Sequence, residues 1–399
     1  MYTTRPLSLY KRSTEAISST PEGPNSGYLV LRDEESTPTY LFGLIKGSSI
    51  DDLPFPQNKR LSVRYTTTSN HNGHTSHHTS DDEVYLIPVI NKPLSSNQYY
   101  AIKADGKTKG ESYASSREED IGTSCFCIPT IRDVKPRPPF DANDIYQQFQ
   151  FSVKQTFLGG NQLSARSVAP DGHPPYFLRR KGWHMSSKSL KNFNMGEARG
   201  IDSSLRARLP DFNIFSSQES STSVVVGKWY CPFMFIKDGS EKDQIKNSIY
   251  YEMTLEQRWE RVFTAERSNN DQEKTVIVDV VVPAEVVRIA GQLEAQEEMI
   301  DGRGVVWYKA IDGSGTVYRM GLSSLIVERI MWEEGRVGWT KEKEKWINVV
   351  KEEKYEGITD WKAFGCYLLV ESFVLKRGDG SIILTYDFRH THQIRSKWE

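Results

Sequence analysis

The chain has 399 residues, and its 51 basic and 52 acidic residues leave a net charge of −1. Charges this balanced argue against a dedicated nucleic-acid protein, whose binding domain would be basic as a whole. Four cysteines are too few for a disulfide framework, and no run of 18 apolar residues suggests a transmembrane helix. We therefore expect a cytosolic or nuclear protein, and the mildly basic, Ser-rich first residues leave a plastid location open.

The first part of the chain has the rhythm of strands and turns. Short apolar runs such as residues 28–31 and 84–90 alternate with turn residues as far as about residue 157. Residues 66–82 interrupt this pattern with Ser, Thr, Asn and four histidines, a composition that has little apolar surface to bury. We predict an N-terminal β-rich region over residues 1–158, with a disordered His-rich loop at 66–82.

Residues 159–223 are rich in Gly, Ser, Pro and Arg and are predicted to connect two regions. Within them a cluster of cations is followed by an aromatic residue, a combination that binds anions in many proteins. The residues are Arg179, Arg180, Lys181, Trp183 and His184. They are candidate ligand-binding residues, and the alternative is a solvated loop anchored by one tryptophan.

Residues 224–399 contain every tryptophan except Trp183, so we expect a well-packed core there. Capping-box patterns begin at Ser240 and Thr254 and predict helices, and the spacing in 322–334 predicts another that ends at Gly335. A further helix is expected from residue 341.

Strands are predicted at 275–282 and in two hairpins, 305–320 and 366–389. The predicted fold is α+β: β-rich, mostly antiparallel, with several helices in the C-terminal half.

Two histidines near the end of the chain are candidate catalytic residues. His390 and His392 are two residues apart on the last predicted strand and therefore share a face. With Asp387 nearby they could form a general acid–base group, and the alternative is a pair of histidines at the edge of the core. No familiar catalytic motif occurs, so whether the chain is an enzyme stays open, with a preference for a non-enzyme.

No cofactor and no metal site are predicted. The histidines of residues 66–82 have no rigid element to hold them in a fixed geometry. Cys125 and Cys127 are separated by one residue, which departs from the C-x-x-C spacing of zinc sites.

Several stretches, from one end of the chain to the other, resemble a plant-specific family catalogued as domain of unknown function 1262. They are residues 116–120, 135–149, 168–183, 224–237, 250–263 and 386–399. The resemblance implies a plant origin and an association with stress and defence. It implies no reaction, cofactor or catalytic residue.

Three hypotheses follow. The first is a non-catalytic binding or regulatory protein of plant stress or defence responses, whose partner is an anionic small molecule or a protein. The second is an enzyme on a small plant metabolite, in which the His390 and His392 end and the Arg179 to His184 segment share one pocket. The third is a membrane-inserting β protein. A nucleic-acid partner is not expected.

Overall fold

The computed structural model describes the chain apart from residues 41–44, 72–73, 125–127, 136, 156–159, 191–192, 268–273, 340–344 and 359. The chain divides into two compact units. Unit 1 comprises Met1–Ala198 and Tyr230–Tyr251, and unit 2 comprises Arg199–Trp229 and Glu252–Glu399. The three consecutive regions predicted from composition differ from this division, because the segment 159–223 contributes to both units.

Strands dominate the described residues. The first thirteen are β1 (Tyr2–Pro6), β2 (Gly27–Leu31), β3 (Thr39–Tyr40), β4 (Ile45–Lys46), β5 (Ser49–Ile50), β6 (Lys59–His71), β7 (His74–Pro88), β8 (Gln98–Lys103), β9 (Ile121–Ser124), β10 (Ile128–Ile131), β11 (Gln148–Gln155), β12 (Asn161–Ser167) and β13 (His184–Ser189). The others are β14 (Gly200–Ile201), β15 (Val224–Pro232), β16 (Ile236–Lys237), β17 (Tyr250–Glu266), β18 (Thr275–Pro283), β19 (Glu285–Ile289), β20 (Leu293–Ile300), β21 (Val305–Ile311), β22 (Val317–Ser323), β23 (Trp346–Lys354), β24 (Ala363–Lys376) and β25 (Ile382–Trp398).

The helices are few and short. Those in the described part of the chain are α1 (Leu7–Arg12), α2 (Tyr176–Arg179), α3 (Ser203–Arg208), α4 (Glu241–Asn247) and α5 (Ser324–Gly335). None of them is long and apolar enough to cross a membrane. The predicted fold class was therefore wrong in one respect: the chain is β-rich with mostly antiparallel sheets, but its helices are spread along the chain and do not gather in the C-terminal half.

The error has an identifiable source in β17. The capping-box pattern at Thr254 predicted a helix, with Leu255 and Trp259 on one face. A separation of four residues places two side chains on one face of a strand as well as of a helix. Pairing of β17 with β24 over the whole range from Glu252 to Glu266 selects the strand. The helix expected from residue 341 was also wrong where it can be compared: residues 341–344 lie outside the described residues, and the residues that would continue the helix form strand β23.

Other local signals were confirmed. Ser240 caps α4 and accepts a hydrogen bond from the Asp243 backbone N–H. Helix α5 ends at Gly335, and the hairpins β21–β22 and β24–β25 form at the predicted places. In these segments the turn and cap residues agree with the tertiary packing.

Unit 1 is built on a seven-stranded antiparallel sheet with the order β12-β11-β8-β7-β6-β13-β5. Its core includes Phe55, Tyr99 and Phe151, whose ring centroids lie 5.0–5.7 Å apart. Residues 66–82, predicted to be a disordered loop, belong to the hairpin β6–β7, which is paired as far as His71 and His74. The expected exposure of this segment is confirmed, since nearly all the described side chains there are exposed. Cross-strand pairing of Thr-rich strands nevertheless orders the backbone.

Within unit 2, antiparallel strands follow the order β22-β21-β20-β19-β25-β24-β17. Strand β24 is buried on both faces from Phe364 to Leu375, which places Glu371 in the centre of an apolar strand. Its pairing with β25 passes from Leu369↔His390 directly to Leu368↔Ile394. Residues 391–393 therefore form a bulge, a feature that commonly redirects side chains beside functional sites.

Candidate functional site

Four elements of unit 2 bring a group of charged side chains together in its interior. Strand β25 contributes His390, β24 contributes Glu371, α5 contributes Glu333 and Glu334, and α3 contributes Arg206. Each of these residues is at most 6% exposed. Charged groups are almost never this buried unless they are paired or bind a ligand. The cluster is therefore a candidate functional site of unit 2.

His390 lies between two carboxylates. Its Nε2 is 3.1 Å from Glu334 Oε2 and 3.2 Å from Glu371 Oε2. Both distances are those of close ion contacts, yet neither contact has the direction of a hydrogen bond, and Nε2 and Glu334 Oε2 are buried atoms without a hydrogen-bond partner. Direction determines the strength of such a contact, because an N–H that points away from an oxygen gains little from it. Three ligand-type atoms thus converge, and two of them, His390 Nε2 and Glu334 Oε2, are unsatisfied.

Arg206 holds both carboxylates from another side. Its Nε donates to Glu371 Oε1 at 2.9 Å and its Nη2 donates to Glu371 Oε2 and to Glu334 Oε1, the latter at 3.1 Å. Its Nη1 donates to the Glu333 carbonyl oxygen at 3.0 Å. Gln257 Nε2 donates to Glu371 Oε1 at 2.8 Å. Such a two-pronged arginine contact fixes carboxylate orientation strongly.

Burial and neighbouring charges separate the pKa values of the group. Burial, with the Glu371 charge close by, raises the pKa of Glu334 to about 7. Burial alone would also raise the pKa of Glu371, but Arg206 and His390 outweigh it and hold that pKa well below its usual range. Burial acts to lower the pKa of His390, and the two carboxylates raise it to about 9. Neighbouring ionisable groups with pKa values pushed apart are a mark of functional sites as well as of buried ion networks.

A pocket of about 410 Å³ opens beside this cluster and is built from unit 2 residues alone. Its polar lining includes Arg206, Arg336, Glu371, His390, His392 and Gln393. Its apolar lining consists of Ile201, Ala207, Leu209, Val337 and Leu369. The β25 bulge supplies His392 and Gln393, so this irregularity helps to form the pocket wall.

The structure brings together two of the three catalytic candidates. His390 and His392 both line the pocket, and their ring centroids lie 5.5 Å apart. Burial and the nearby His390 charge lower the pKa of His392. Asp387 is not among the residues that line the pocket: it pairs with Arg288 and Arg258 and accepts a hydrogen bond from Ser372 at 2.6 Å. Asp387 is therefore a member of a separate ion network.

The predicted ligand-binding segment lies in unit 1. Trp183 is buried in the core and donates from Nε1 to the Leu178 carbonyl at 3.3 Å. Arg179 contacts Asp133 at 3.3 Å, and the Arg180 guanidinium lies 4.3 and 3.9 Å from the ring centres of two tyrosines, Tyr65 and Tyr176. Lys181 and His184 are exposed. The two segments of the enzyme hypothesis belong to different units, and a ligand for the Arg179 to His184 segment stays a prediction.

Sequence reasoning missed Arg206, Glu334 and Glu371. They are far apart in sequence and form no motif. One signal was available: Glu371 is the only charged residue in the apolar run from residue 364 to 375. A lone carboxylate in a doubly buried strand must have partners elsewhere in the fold.

The histidines and cysteines that the sequence offered as metal ligands differ from the group that the structure brings together. Among the described residues, the only group of three or more His, Cys, Asp or Glu side chains with suitable spacing is Glu334, Glu371 and His390. In the β6–β7 hairpin, His77 Nδ1 lies 3.0 Å from Thr68 Oγ1 and the side chain is exposed. Cys125 and Cys127 lie outside the described residues.

Comparison with known proteins identifies no activity. Residues 22–126 match the model of a family described as "Protein of unknown function (DUF1262)", which confirms that the chain contains a domain of unknown function. No curated protein matches. The crystal structure of Cry35Ab1 is similar with a TM-score of 0.42 and 12% identity, over 86% of this chain and 90% of that chain.

Proposed function

We propose that the chain is a binding protein whose unit 2 pocket holds a small organic anion. The observation that carries the proposal is a pocket of about 410 Å³ that combines an apolar wall with buried, fixed charges. This volume lies within the range typical of small-molecule sites, which are mostly apolar with a few placed polar groups. The combination suits a molecule with an apolar body and one charged end.

The sign of the charged end follows from the lining. Two arginines, Arg206 and Arg336, face one glutamate, Glu371, so the lining carries one net positive charge when its histidines are neutral. Arg206 is buried and pairs with Glu371 and Glu334, whereas the Arg336 side chain is one-third exposed at the pocket, with Glu333 at 3.6 Å and the Trp332 ring centre at 4.8 Å. Arg336 and His392 are therefore the groups we expect to meet the anion.

The biological part of the proposal is a regulatory role in plant stress or defence, in the cytosol or nucleus. Its support is the family resemblance and the composition of the chain. The pocket adds the chemistry that such a role would use, namely recognition of a small anionic molecule rather than a nucleic acid.

The test uses a substitution that fills the pocket and leaves the buried charges in place. Ala207 lies on α3, is exposed and lines the pocket. A library of small carboxylates and phosphates is screened by saturation-transfer NMR against the wild-type protein and Ala207→Trp. Binding that is lost in Ala207→Trp supports the proposal.

Ser204→Trp is the matched control. Ser204 is exposed on the same helix but does not line the pocket, so this variant should bind as the wild-type protein does. Equal binding by all three proteins, or no binding by any, would refute the proposal.

A second candidate is an enzyme that acts on the same class of molecule. It is favoured by one observation, the placement of His390 between two glutamates at the pocket wall. An imidazole oriented by carboxylates is a frequent acid–base group. His390→Gln should then abolish turnover of a bound compound while its affinity stays within about threefold; a compound that is bound but never converted would reject this candidate.

A further inference from the structure

We propose that Glu334, Glu371 and His390 bind a divalent transition-metal ion beside the unit 2 pocket. The inference does not depend on the proposed function, because a metal ion can bind there without an organic ligand. It concerns groups in the interior of one unit, all of which are nearly inaccessible to solvent.

The spacing of the three groups fits a common metal ion. One ligand atom from each lies within 4.8 Å of the others, and His390 Nε2 is 3.1 and 3.2 Å from the two carboxylate oxygens. Ligand atoms that share an ion at about 2.0–2.2 Å lie roughly 3–3.5 Å apart. The two distances from His390 Nε2 already have this length.

The direction of the contacts supports a metal ion over a proton as the shared partner. A protonated His390 held by these carboxylates would direct its Nε2–H at an oxygen, but Nε2 and Glu334 Oε2 both lack hydrogen-bond geometry. Buried polar atoms without partners are rare and need an explanation. A single ion between them would satisfy both.

The surroundings resemble the outer shell of a metal site. Arg206 binds Glu334 Oε1 and both oxygens of Glu371, and Gln257 binds Glu371 Oε1. The carboxylates are thus held in orientation as they are by outer-shell groups in metalloproteins, and Glu371 Oε2 would contact both the ion and the Arg206 guanidinium. One imidazole and two carboxylates suit Zn²⁺ or Mn²⁺. Glu371 and His390 also line the pocket, so an open coordination position would face it.

The formal charges are compatible with a divalent ion. Metal binding displaces the proton of His390, and two glutamates and one arginine then leave one net negative charge around the neutral imidazole. A divalent ion would change that to one net positive charge, which an anionic group from the pocket would balance. The metal ion would thus add to the preference for anions that the lining already has.

The experiment must first remove a competing set of ligands. His77 and His78 on the β6–β7 hairpin are exposed and would bind transition metals adventitiously. The starting protein therefore carries the substitutions His71→Asn, His74→Asn, His77→Asn and His78→Asn. After treatment with a chelator and its removal, Zn²⁺ and Mn²⁺ are titrated by calorimetry, with Mg²⁺ as a comparison ion.

We expect one equivalent of Zn²⁺ or Mn²⁺ to bind to the starting protein, with an affinity at least 100-fold lower in Glu334→Gln and in His390→Gln. Gln393→Ala is the matched control: Gln393 lines the pocket but is not one of the three ligands, and the metal affinity of this variant should change less than threefold. Circular dichroism verifies that each variant is folded.

A second measurement avoids variants altogether. Co²⁺ added to the starting protein should give visible absorption bands of a four- or five-coordinate site, and Zn²⁺ should displace them. Failure to bind one equivalent of metal, or equal affinity in the ligand variants and the Gln393→Ala control, would overturn the proposal. Neither result would decide whether the pocket binds an organic anion, which the NMR screen tests separately.

Discussion

Replacement of Arg206 tests how far the buried cluster depends on one cation. Arg206→Met keeps most of the side-chain volume and removes the charge that contacts Glu371 and Glu334. Removal of one partner from a buried ion network typically costs about 3–5 kcal/mol, because the remaining charge is left unpaired. With a urea m-value of about 3 kcal/mol/M, the unfolding midpoint should fall by about 1–1.7 M.

Urea unfolding monitored by circular dichroism measures the loss, and Arg208→Met is the control. Arg208 lies on the same helix and is exposed, so its replacement should change the free energy of unfolding by less than about 0.5 kcal/mol. Combining Arg206→Met with Glu371→Leu should cost less than the sum of the single changes, since the two side chains interact directly. Equal effects at Arg206 and Arg208 would refute the interpretation of the cluster as a coupled network.

Two further predictions concern unit 1. Tyr65 and Ser80 are paired across the β6–β7 hairpin, so residues 66–79 between them can be replaced by an Asn-Gly turn. The free energy of unfolding should change by less than about 1 kcal/mol, because the excised side chains bury little surface. A larger loss in thermal unfolding would show that the hairpin tip packs on other residues. Trp183→Ala should lower the free energy of unfolding by about 3–5 kcal/mol in the same assay, because the ring is buried. Lys181 is exposed, so Lys181→Ala should change it very little. Comparable effects would contradict the interpretation of this segment as a loop anchored by Trp183.

Local sequence signals predicted the strands and turns well where two of them agree. The hairpin around Arg377 and Gly380 combines a turn pair with flanking apolar strands, and the structure has both. The Thr254 pattern lacked such agreement, because its four-residue spacing fits either period and only pairing with β24 decides between them. Residues 66–82 show the same limit, since composition indicates exposure but not whether the backbone is paired.

The sequence predicted the two histidines of the candidate site but not the charged residues that surround them. His390 and His392 share a strand, so their spacing placed them together. Arg206, Glu334 and Glu371 reach the same point from three other elements, and only the fold determines that meeting. The lone acid in β24 indicates that partners exist without identifying them. Long-range convergence of this kind leaves no local pattern in a single sequence.

Strand β25 gives a final prediction, in which the structure changes an expectation from sequence. Phe388 is buried and packs against Tyr386, Phe373 and Trp339, with ring centroids 4.7, 6.2 and 4.8 Å away, so Phe388→Ala should cost about 3–5 kcal/mol. In a half-buried strand Arg389 would lie on the opposite, exposed face, and its loss would be mild. That face is buried too: Arg389 is 6% exposed, contacts Glu260 and donates to the Pro283 carbonyl at 3.2 Å.

Arg389→Ala should therefore destabilise the protein measurably, but less than Phe388→Ala, because Arg258 still contacts Glu260 at 3.0 Å and keeps that carboxylate paired. We expect about 1–3 kcal/mol for Arg389→Ala, the cost of unsatisfied buried polar groups. Urea unfolding of both variants gives the comparison, and Thr391→Ala in the neighbouring bulge is the control, expected within about 0.5 kcal/mol of the wild-type protein. If Arg389→Ala matched that control, the second face of β25 would be open to solvent, and the ion network through Glu260 would contribute nothing to stability.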